Sequence, residues 1–146
     1  MPQKHRQQQG TFHITTAVRD RMPICTESGM PERLIHHLGE TRGMQGAKLF
    51  AFCILPDHIH LLLSPGKKGL SAFLHAFKKN SSRDIPSLFW QKGYYDERIR
   101  DDKQRGTVIG YIQGNAMKHN LVTDITDWPW TSLHFPEMLD PMEVWL

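Results

Sequence analysis

Two consecutive apolar segments in the middle of the chain constrain its fold most strongly. Ala47–Leu55 is a nearly continuous apolar run that ends at Pro56, the pattern of a central strand buried on both faces. His58–Leu63 follows almost immediately and reads as another strand, which ends at the turn sequence Ser64–Gly66. We therefore expect two successive strands at the centre of the fold.

Shorter patterned segments flank these two strands, and no internal repeat is visible. Thr11–Val18 is rich in β-branched and aromatic residues and predicts a first strand. Helical signals predict helices over residues 31–38, 69–83 and 108–121, whereas residues 93–100 fit either a short strand or a hairpin. The order β-α-β-β-α predicts an α+β fold, a ferredoxin-like antiparallel sheet with helices packed on one face and an irregular C-terminal tail.

Composition places the chain among ordinary globular proteins. With 146 residues, 39% hydrophobic and 23% charged, we expect a single domain over 1–146, with its core at 11–123 and a tail at 124–146. No apolar run approaches the roughly 20 residues of a membrane-spanning helix, and the polar start lacks a signal-peptide pattern. We therefore expect a cytoplasmic protein with no membrane partner. Cys25 and Cys53 lack Cys-x-x-Cys spacing and are expected to be free thiols.

The formal net charge of +3 conceals a strongly basic segment. Residues 67–83 contain five basic side chains and no acidic one, so local positive potential should attract phosphate groups. The alternative is a solvated helix face that keeps the protein soluble. The five residues are Lys67, Lys68, Lys78, Lys79 and Arg83.

The strongest chemical signal is the His-x-His pattern at the start of the strand His58–Leu63. Successive side chains of a strand alternate between its faces, so His58 and His60 project together while Ile59 enters the core. Neutral imidazole is a common ligand of divalent transition metals, and a rigid strand provides preorganisation. Such a pair can also merely form hydrogen bonds at a surface. Cys53 is conceivable as a soft third ligand but is more simply a small core residue.

A second signal lies in the predicted third helix. Tyr111 and Asn115 are four residues apart and share a helical face, with Lys118 on the next turn of the same stripe. This combination suits a nucleophile, a metal ligand or orienting amide, and a phosphate contact. The alternative is a tyrosine at the edge of the core whose hydroxyl bonds to a polar neighbour.

Five motifs, taken together, resemble a known family over about Thr11 to Ser132. The motifs are Leu55–Leu63, Phe89–Asp96, Ile99–Asp102, Tyr111–Asn115 and Trp128–Ser132. Their order and spacing resemble the REP-associated tyrosine transposases, which belong to the HUH-type single-strand DNA transposases. The resemblance implies a ferredoxin-like domain that recognises single-stranded DNA with hairpins, cuts one strand and forms a 5′-phosphotyrosine link.

The resemblance also implies roles for individual residues. Tyr111 would be the nucleophile, and His58, His60 and Asn115 would bind the metal, for which Mg²⁺ or Mn²⁺ is expected. Three positions depart from the usual pattern without removing any of these groups. They are Asp57, where Asn is common, Glu97, where His is frequent, and Ala116, where Pro is usual.

DNA contacts are expected from the basic residues and, less specifically, from aromatic ones. Besides the five in residues 67–83, candidate phosphate contacts are Arg98, Arg100 and Lys118. Four aromatic residues, Phe89, Trp90, Tyr94 and Tyr95, are either base-stacking surfaces or core.

Two other functions compete with the transposase interpretation. One is a module on the same fold that binds hairpin DNA or RNA without cutting it. The other is a zinc hydrolase, which is disfavoured because only two imidazoles and no close carboxylate or thiolate motif are visible. We favour a monomer, and the alternative is a homodimer whose tyrosine helix serves the partner's histidines.

Overall fold

A four-stranded antiparallel sheet in the order β2-β3-β1-β4 forms the centre of the computed structural model, which describes residues 9–142. The strands are β1 (Phe12–Ala17), β2 (Lys48–Ile54), β3 (His58–Ser64) and β4 (Tyr95–Arg98). The helices are α1 (Met30–Gln45), α2 (Leu70–Asp84), α3 (Asp102–Gln113) and α4 (Asn115–Lys118). The predicted ferredoxin-like α+β fold is confirmed. The predicted domain limits at residues 1 and 146 lie outside the described residues and stay predictions.

Capping and packing determine where the helices begin and end, and the bounds of α1 and α3 differ from those predicted from the sequence. Helix α1 continues through Gly39 to Gly46, which ends it in the left-handed conformation at φ 65°. A glycine within a helix costs only about 1 kcal/mol relative to alanine, which the buried apolar face of α1 outweighs. The third helix starts earlier than predicted because the Asp101 carboxylate caps the Gln104 amide at 2.7 Å, and it breaks at Gly114.

The helices cover both faces of the sheet. Helices α1 and α2 pack on the face that carries Ile59 and Leu61 and form the predicted helical layer, whereas a helix on the other face was not predicted. Helix α3 packs against the opposite face of β2 and β3, where Leu62 belongs to a second apolar cluster with Ile112. The histidine-bearing face of β3 is therefore covered by the helix that carries Tyr111.

The prediction that β2 is a central strand is wrong, because β2 lies at the edge of the sheet. Helices pack against both of its faces, which explains why the strand is apolar on both, and the C-terminal segment covers its outer edge. Backbone amides of Ile54 and Phe52 donate to the Trp130 carbonyl at 2.8 Å and the Ser132 hydroxyl at 3.0 Å. This segment consists of short 3-10 turns, as expected for an irregular tail.

Cys25 and Cys53 are both free and buried, as predicted. Burial raises the pKa of each thiol to about 12, so both remain protonated at neutral pH. Within residues 9–142, none of the helices has the length and apolar character needed to cross a membrane.

Candidate active site

The histidine-bearing face of the sheet forms one wall of a cavity of about 630 Å³. Helix α3 and the C-terminal end of α4 form the other wall, so side chains from distant parts of one chain converge there. The sheet contributes His13, Thr15, His58, His60, Tyr95 and Glu97. The other lining residues are Arg21, Gln104, Thr107, Val108, Tyr111, Lys118 and His119. We call this space the tyrosine cavity.

Strand register explains why these sheet residues share one face. Thr15 of β1 lies opposite His60 of β3 and also opposite Tyr95 of β4. His13 lies opposite Glu97, two residues along β1 from Thr15. Directly paired residues point to the same side of an antiparallel sheet, and so do residues two apart on one strand.

His58 and His60 project together, as the alternation of the strand predicts. Their ring centroids are 5.0 Å apart, and both side chains are buried. Burial lowers the pKa of His60 to about 3, and the charges of His58 and its cationic neighbours act in the same direction. Burial also lowers the pKa of His58, although the Asp57 carboxylate opposes it. Both rings are therefore neutral at neutral pH, the protonation state of a metal ligand.

Each of these rings is oriented through its Nδ1 atom. His58 Nδ1 donates to Asp57 Oδ1 at 2.7 Å, and Arg21 Nε lies 3.2 Å from the other carboxylate oxygen. His60 Nδ1 lies 3.1 Å from Thr15 Oγ1 and 3.0 Å from His13 Nε2. A proton on Nδ1 leaves the lone pair on Nε2, so these contacts orient each ring as expected for metal-binding histidines.

Several residues of the tyrosine cavity were not predicted from the sequence as site residues. His13 Nδ1 lies 3.7 Å from Glu97 Oε1, which links a carboxylate, His13 and His60 in one chain of contacts. Burial lowers the pKa of His13, and the Glu97 carboxylate opposes that shift. His119, also unpredicted, has its ring centroid 5.5 Å from that of His58. Alternation of polar and apolar residues in Phe12–Thr15 was the available signal, but it does not reveal the partner strand.

Tyr111 lies over the histidines with its hydroxyl accessible. Its side chain is 41% exposed, and its ring stands nearly perpendicular to that of His60 with centroids 5.6 Å apart. Lys118 Nζ donates to the Tyr111 hydroxyl oxygen at 3.1 Å and lies 4.6 Å from the ring centroid. The stripe predicted for these two side chains thus continues across the break at Gly114.

Asn115, the predicted third ligand, is fully buried at the first residue of α4. Neither Oδ1 nor Nδ2 has a hydrogen-bond partner among the described residues. A buried polar group left without a partner costs about 1–3 kcal/mol, which favours a ligand for this amide. Its neighbour Ala116 packs with Cys53, the register partner of His60.

The donor set limits which metal site these residues could form. Among residues 9–142, His, Cys, Asp and Glu side chains form no group of three or more suited to a metal ion. Both candidate imidazoles line the tyrosine cavity, whereas Asn115 is not among the residues that line it, and the protonated Cys53 thiol is a poor ligand. Imidazole and amide oxygen suit Mn²⁺ or Mg²⁺, and their assignment as ligands stays a prediction.

The residues predicted to contact DNA lie on several surfaces. Lys118 lies in the tyrosine cavity, whereas Lys78 Nζ donates to the Gln91 carbonyl at 3.0 Å and also to the Gly93 carbonyl. Arg98 Nη1 donates to the Gln9 carbonyl at 2.8 Å.

The remaining predicted cations are exposed. Lys79 lines a second cavity beside α2, and Arg83 lines a groove between α1 and α2. The exposed residues Lys67 and Lys68 lie between β3 and α2, and Arg100 precedes α3. DNA contact by all eight residues stays a prediction.

Comparisons with known proteins agree with this geometry. The family described as "Transposase IS200 like" matches residues 6–115. A protein of Haemophilus influenzae designated a REP-associated tyrosine transposase is 34% identical over 101 residues, covering 58% of this chain. That match spans only 57% of the relative's own length. The REP-associated tyrosine transposase of Escherichia coli K12 is 26% identical over 130 residues, covering 86% of this chain and 77% of that protein.

Solved structures share the fold. A structure described as a REP-associated tyrosine transposase bound to a REP hairpin superposes with a TM-score of 0.79 at 24% identity. The match covers 92% of this chain and 84% of the other. A transposase structure from Deinococcus radiodurans gives a TM-score of 0.55 at 21% identity, covering 73% and 90%.

Proposed function

This chain belongs to the family of IS200-like transposases, and we propose that it nicks and transfers single-stranded DNA that contains hairpins. The observation that carries this proposal is the convergence of Tyr111 with His58 and His60 in one cavity of one chain. The similar protein solved with a REP hairpin supports a hairpin-containing substrate. The reaction we propose proceeds through a 5′-phosphotyrosine intermediate.

In the proposed reaction, the Tyr111 hydroxyl oxygen attacks the phosphorus of a phosphodiester. A Tyr–O–P bond forms to the 5′-phosphate of the downstream strand, and the bond between that phosphorus and the upstream 3′ oxygen breaks. The phenolic proton leaves to water, and the departing 3′ oxygen takes up a proton to become a hydroxyl. Because the phosphoester bond is kept in the protein, a 3′-hydroxyl can later reverse the step and rejoin a strand.

Lys118 supports the attacking group. Its ammonium donates to the Tyr111 oxygen at 3.1 Å, so it stabilises negative charge that develops there as the proton leaves. The partly exposed ring leaves the phenol accessible to a phosphodiester that enters the tyrosine cavity.

His58, His60 and Asn115 are the residues we propose to hold Mg²⁺ or Mn²⁺. When bound, the ion would supply Lewis-acid stabilisation of charge on the phosphate. Asp57 and Thr15 would keep the two imidazole rings oriented through their Nδ1 contacts. The unpartnered amide of Asn115 supports its inclusion.

We also propose that the active unit is a monomer. One chain brings the tyrosine and both histidines to the same cavity, so no partner subunit is needed to complete it. A homodimer that exchanges tyrosine helices remains the alternative. The cytoplasmic location stays a prediction.

The metal requirement tests the proposed function. Purified protein is incubated with labelled hairpin-flanked single-stranded DNA and Mn²⁺, and nicked product is measured. We expect His58→Ala, His60→Ala and excess chelator each to slow nicking by about a hundredfold or more. The exposed His36 on α1 supplies a matched control, because His36→Ala should leave nicking unchanged.

Two outcomes would contradict the proposal. Full nicking in excess chelator would exclude the metal-dependent reaction. Tight hairpin binding without any nicked product, with either ion present, would instead support the non-cleaving binding module.

A further inference from the structure

A second cavity, of about 740 Å³, lies between α2 and the segment that precedes β4. Four basic side chains, Arg19, Lys78, Lys79 and Lys92, line it together with aromatic rings. Among the described residues that line it, none is acidic. We call it the basic aromatic cavity. Its composition suits a ligand with both a negative charge and a flat ring.

Phe89 is the most exposed aromatic ring of this cavity. Its side chain is 54% exposed, and the Arg19 guanidinium carbon lies 4.8 Å from the ring centroid. A backbone hydrogen bond joins the two residues, because the Arg19 amide donates to the Phe89 carbonyl at 2.8 Å. An exposed ring fixed beside a cation is a surface on which a nucleic-acid base stacks.

Two other side chains of the cavity wall, Trp90 and Lys78, already form hydrogen bonds within the protein. Trp90 Nε1 donates to Ser81 Oγ at 2.9 Å, and the Trp90 ring packs on Phe77 with centroids 5.6 Å apart. Lys78 is bound to the carbonyls of Gln91 and Gly93. Trp90 and Lys78 thus support the wall, and Lys79 is left as an exposed cation beside it.

One short turn, Arg19–Arg21, connects this cavity to the tyrosine cavity. Arg19 lines the basic aromatic cavity, whereas Arg21 lines the tyrosine cavity and pairs with Asp57. Asp20 and Arg21 have φ values of 58° and 54°, a left-handed conformation that is uncommon outside glycine. Two such residues in succession carry a conformational cost, and costs of this kind concentrate at functional sites.

We propose that the basic aromatic cavity binds an unpaired base of the DNA strand that reaches Tyr111. The base stacks on Phe89 beside Arg19, its phosphates lie near Lys79 and Lys92, and the strand crosses the turn Arg19–Arg21. This site rests on the proposed function in that its ligand is the same single strand. It adds a positioning site that lies apart from the reacting atoms.

Photo-crosslinking locates the base directly. The Tyr111→Phe protein, which keeps the DNA uncut, is mixed with a hairpin that carries a single-stranded thymidine flank. One flank position at a time contains 5-iodouracil, and the crosslinked peptide is identified by mass spectrometry. A thymidine flank is suitable because stacking on an aromatic ring tolerates every base. We expect one flank position to crosslink to Phe89.

Binding measurements on variants give the second readout. Phe89→Ala should weaken binding of the same DNA by about 5- to 150-fold, the range for loss of one stacked base. Phe89→Tyr keeps the ring and should bind like the parent. Met44→Ala, at an exposed apolar residue of α1, is the matched control and should change nothing.

The site is overturned if no flank position crosslinks to Phe89, or if Phe89→Ala binds as tightly as the parent. The nicking assay on the unsubstituted protein separates this result from the proposed function. Nicking without any effect at Phe89 would reject only the base site. A Phe89 crosslink together with the expected affinity loss, in a protein that never nicks, would reject only the cleavage reaction.

Discussion

At the residue scale, the hydrogen bond from Lys118 to Tyr111 gives Lys118 two possible roles, one in the reaction and one in DNA binding. The sequence suggested that Lys118 contacts a phosphate, whereas its ammonium donates to the phenol oxygen at 3.1 Å. A cation in that position acts on the atom that gains charge during attack. A contact between Lys118 and a phosphate alone would strengthen DNA binding without changing the rate of attack.

Lys118→Met therefore tests which of these roles matters. We expect nicking at saturating DNA to slow by about a hundredfold, since one donor to the developing charge is lost. Lys118→Arg, which retains a cation, should keep much of the rate. Single-turnover nicking and DNA affinity are measured in parallel. Weaker binding with an unchanged saturating rate would assign Lys118 to phosphate contact instead.

At the element scale, the sequence revealed which side chains share one face of a strand or helix. The shared face of His58 and His60 follows from strand alternation, which is local. The contacts of His13 with His60 and Glu97 depend on the pairing of β1 with two strands distant in sequence. That register depends on pairing between segments distant in the chain, which no local pattern reveals, so those contacts could not be predicted.

Helix α2 carries two adjacent lysines whose environments differ. Burial lowers the pKa of Lys78 to about 8, and its ammonium is bound to the carbonyls of Gln91 and Gly93. Lys79 is exposed and lines the basic aromatic cavity. The sequence alone predicted phosphate contact for both.

Separate substitutions of Lys78 and Lys79 should distinguish a contribution to stability from a contact with DNA. Lys79→Ala should reduce the log–log salt dependence of single-strand binding by about 0.7 and leave stability unchanged. Lys78→Ala should instead destabilise the fold by about 1 kcal/mol, because the Gln91 and Gly93 carbonyls lose their shared donor. Salt titrations and urea denaturation measure both effects. Equal salt effects with unchanged stability would place both lysines on the DNA path.

At the scale of the whole molecule, the C-terminal segment completes the sheet. Asp140 accepts hydrogen bonds from Arg42 Nε and Nη2, each at 2.7 Å, and from the Leu49 amide at 2.8 Å. The Asp140 amide donates in turn to the Leu49 carbonyl. The sequence predicted an irregular tail packed on the domain, but the edge it covers depends on long-range pairing.

Asp140→Asn tests this attachment through its pH dependence. The hydrogen bond from Arg42 holds the pKa of Asp140 below its usual value, so the stabilisation is present above about pH 4. It is lost as the pH falls through the lowered pKa of the folded state. We expect the variant to lose about 1–3 kcal/mol at about pH 7, and this loss should shrink as the pH falls below about 4, by urea denaturation. A difference independent of pH would contradict this account.

The identity of the nucleophile decides whether Tyr111 forms the covalent link to DNA. Protein is incubated with labelled hairpin-flanked single-stranded DNA and Mn²⁺, and a denaturation-resistant protein–DNA adduct is measured and its attachment site mapped by mass spectrometry. Tyr111→Phe removes only the attacking oxygen, so folding and DNA binding should persist while the adduct disappears. The account predicts a 5′-phosphate linked to Tyr111 in the unsubstituted protein. An adduct undiminished in Tyr111→Phe, or attached to another residue, would contradict it.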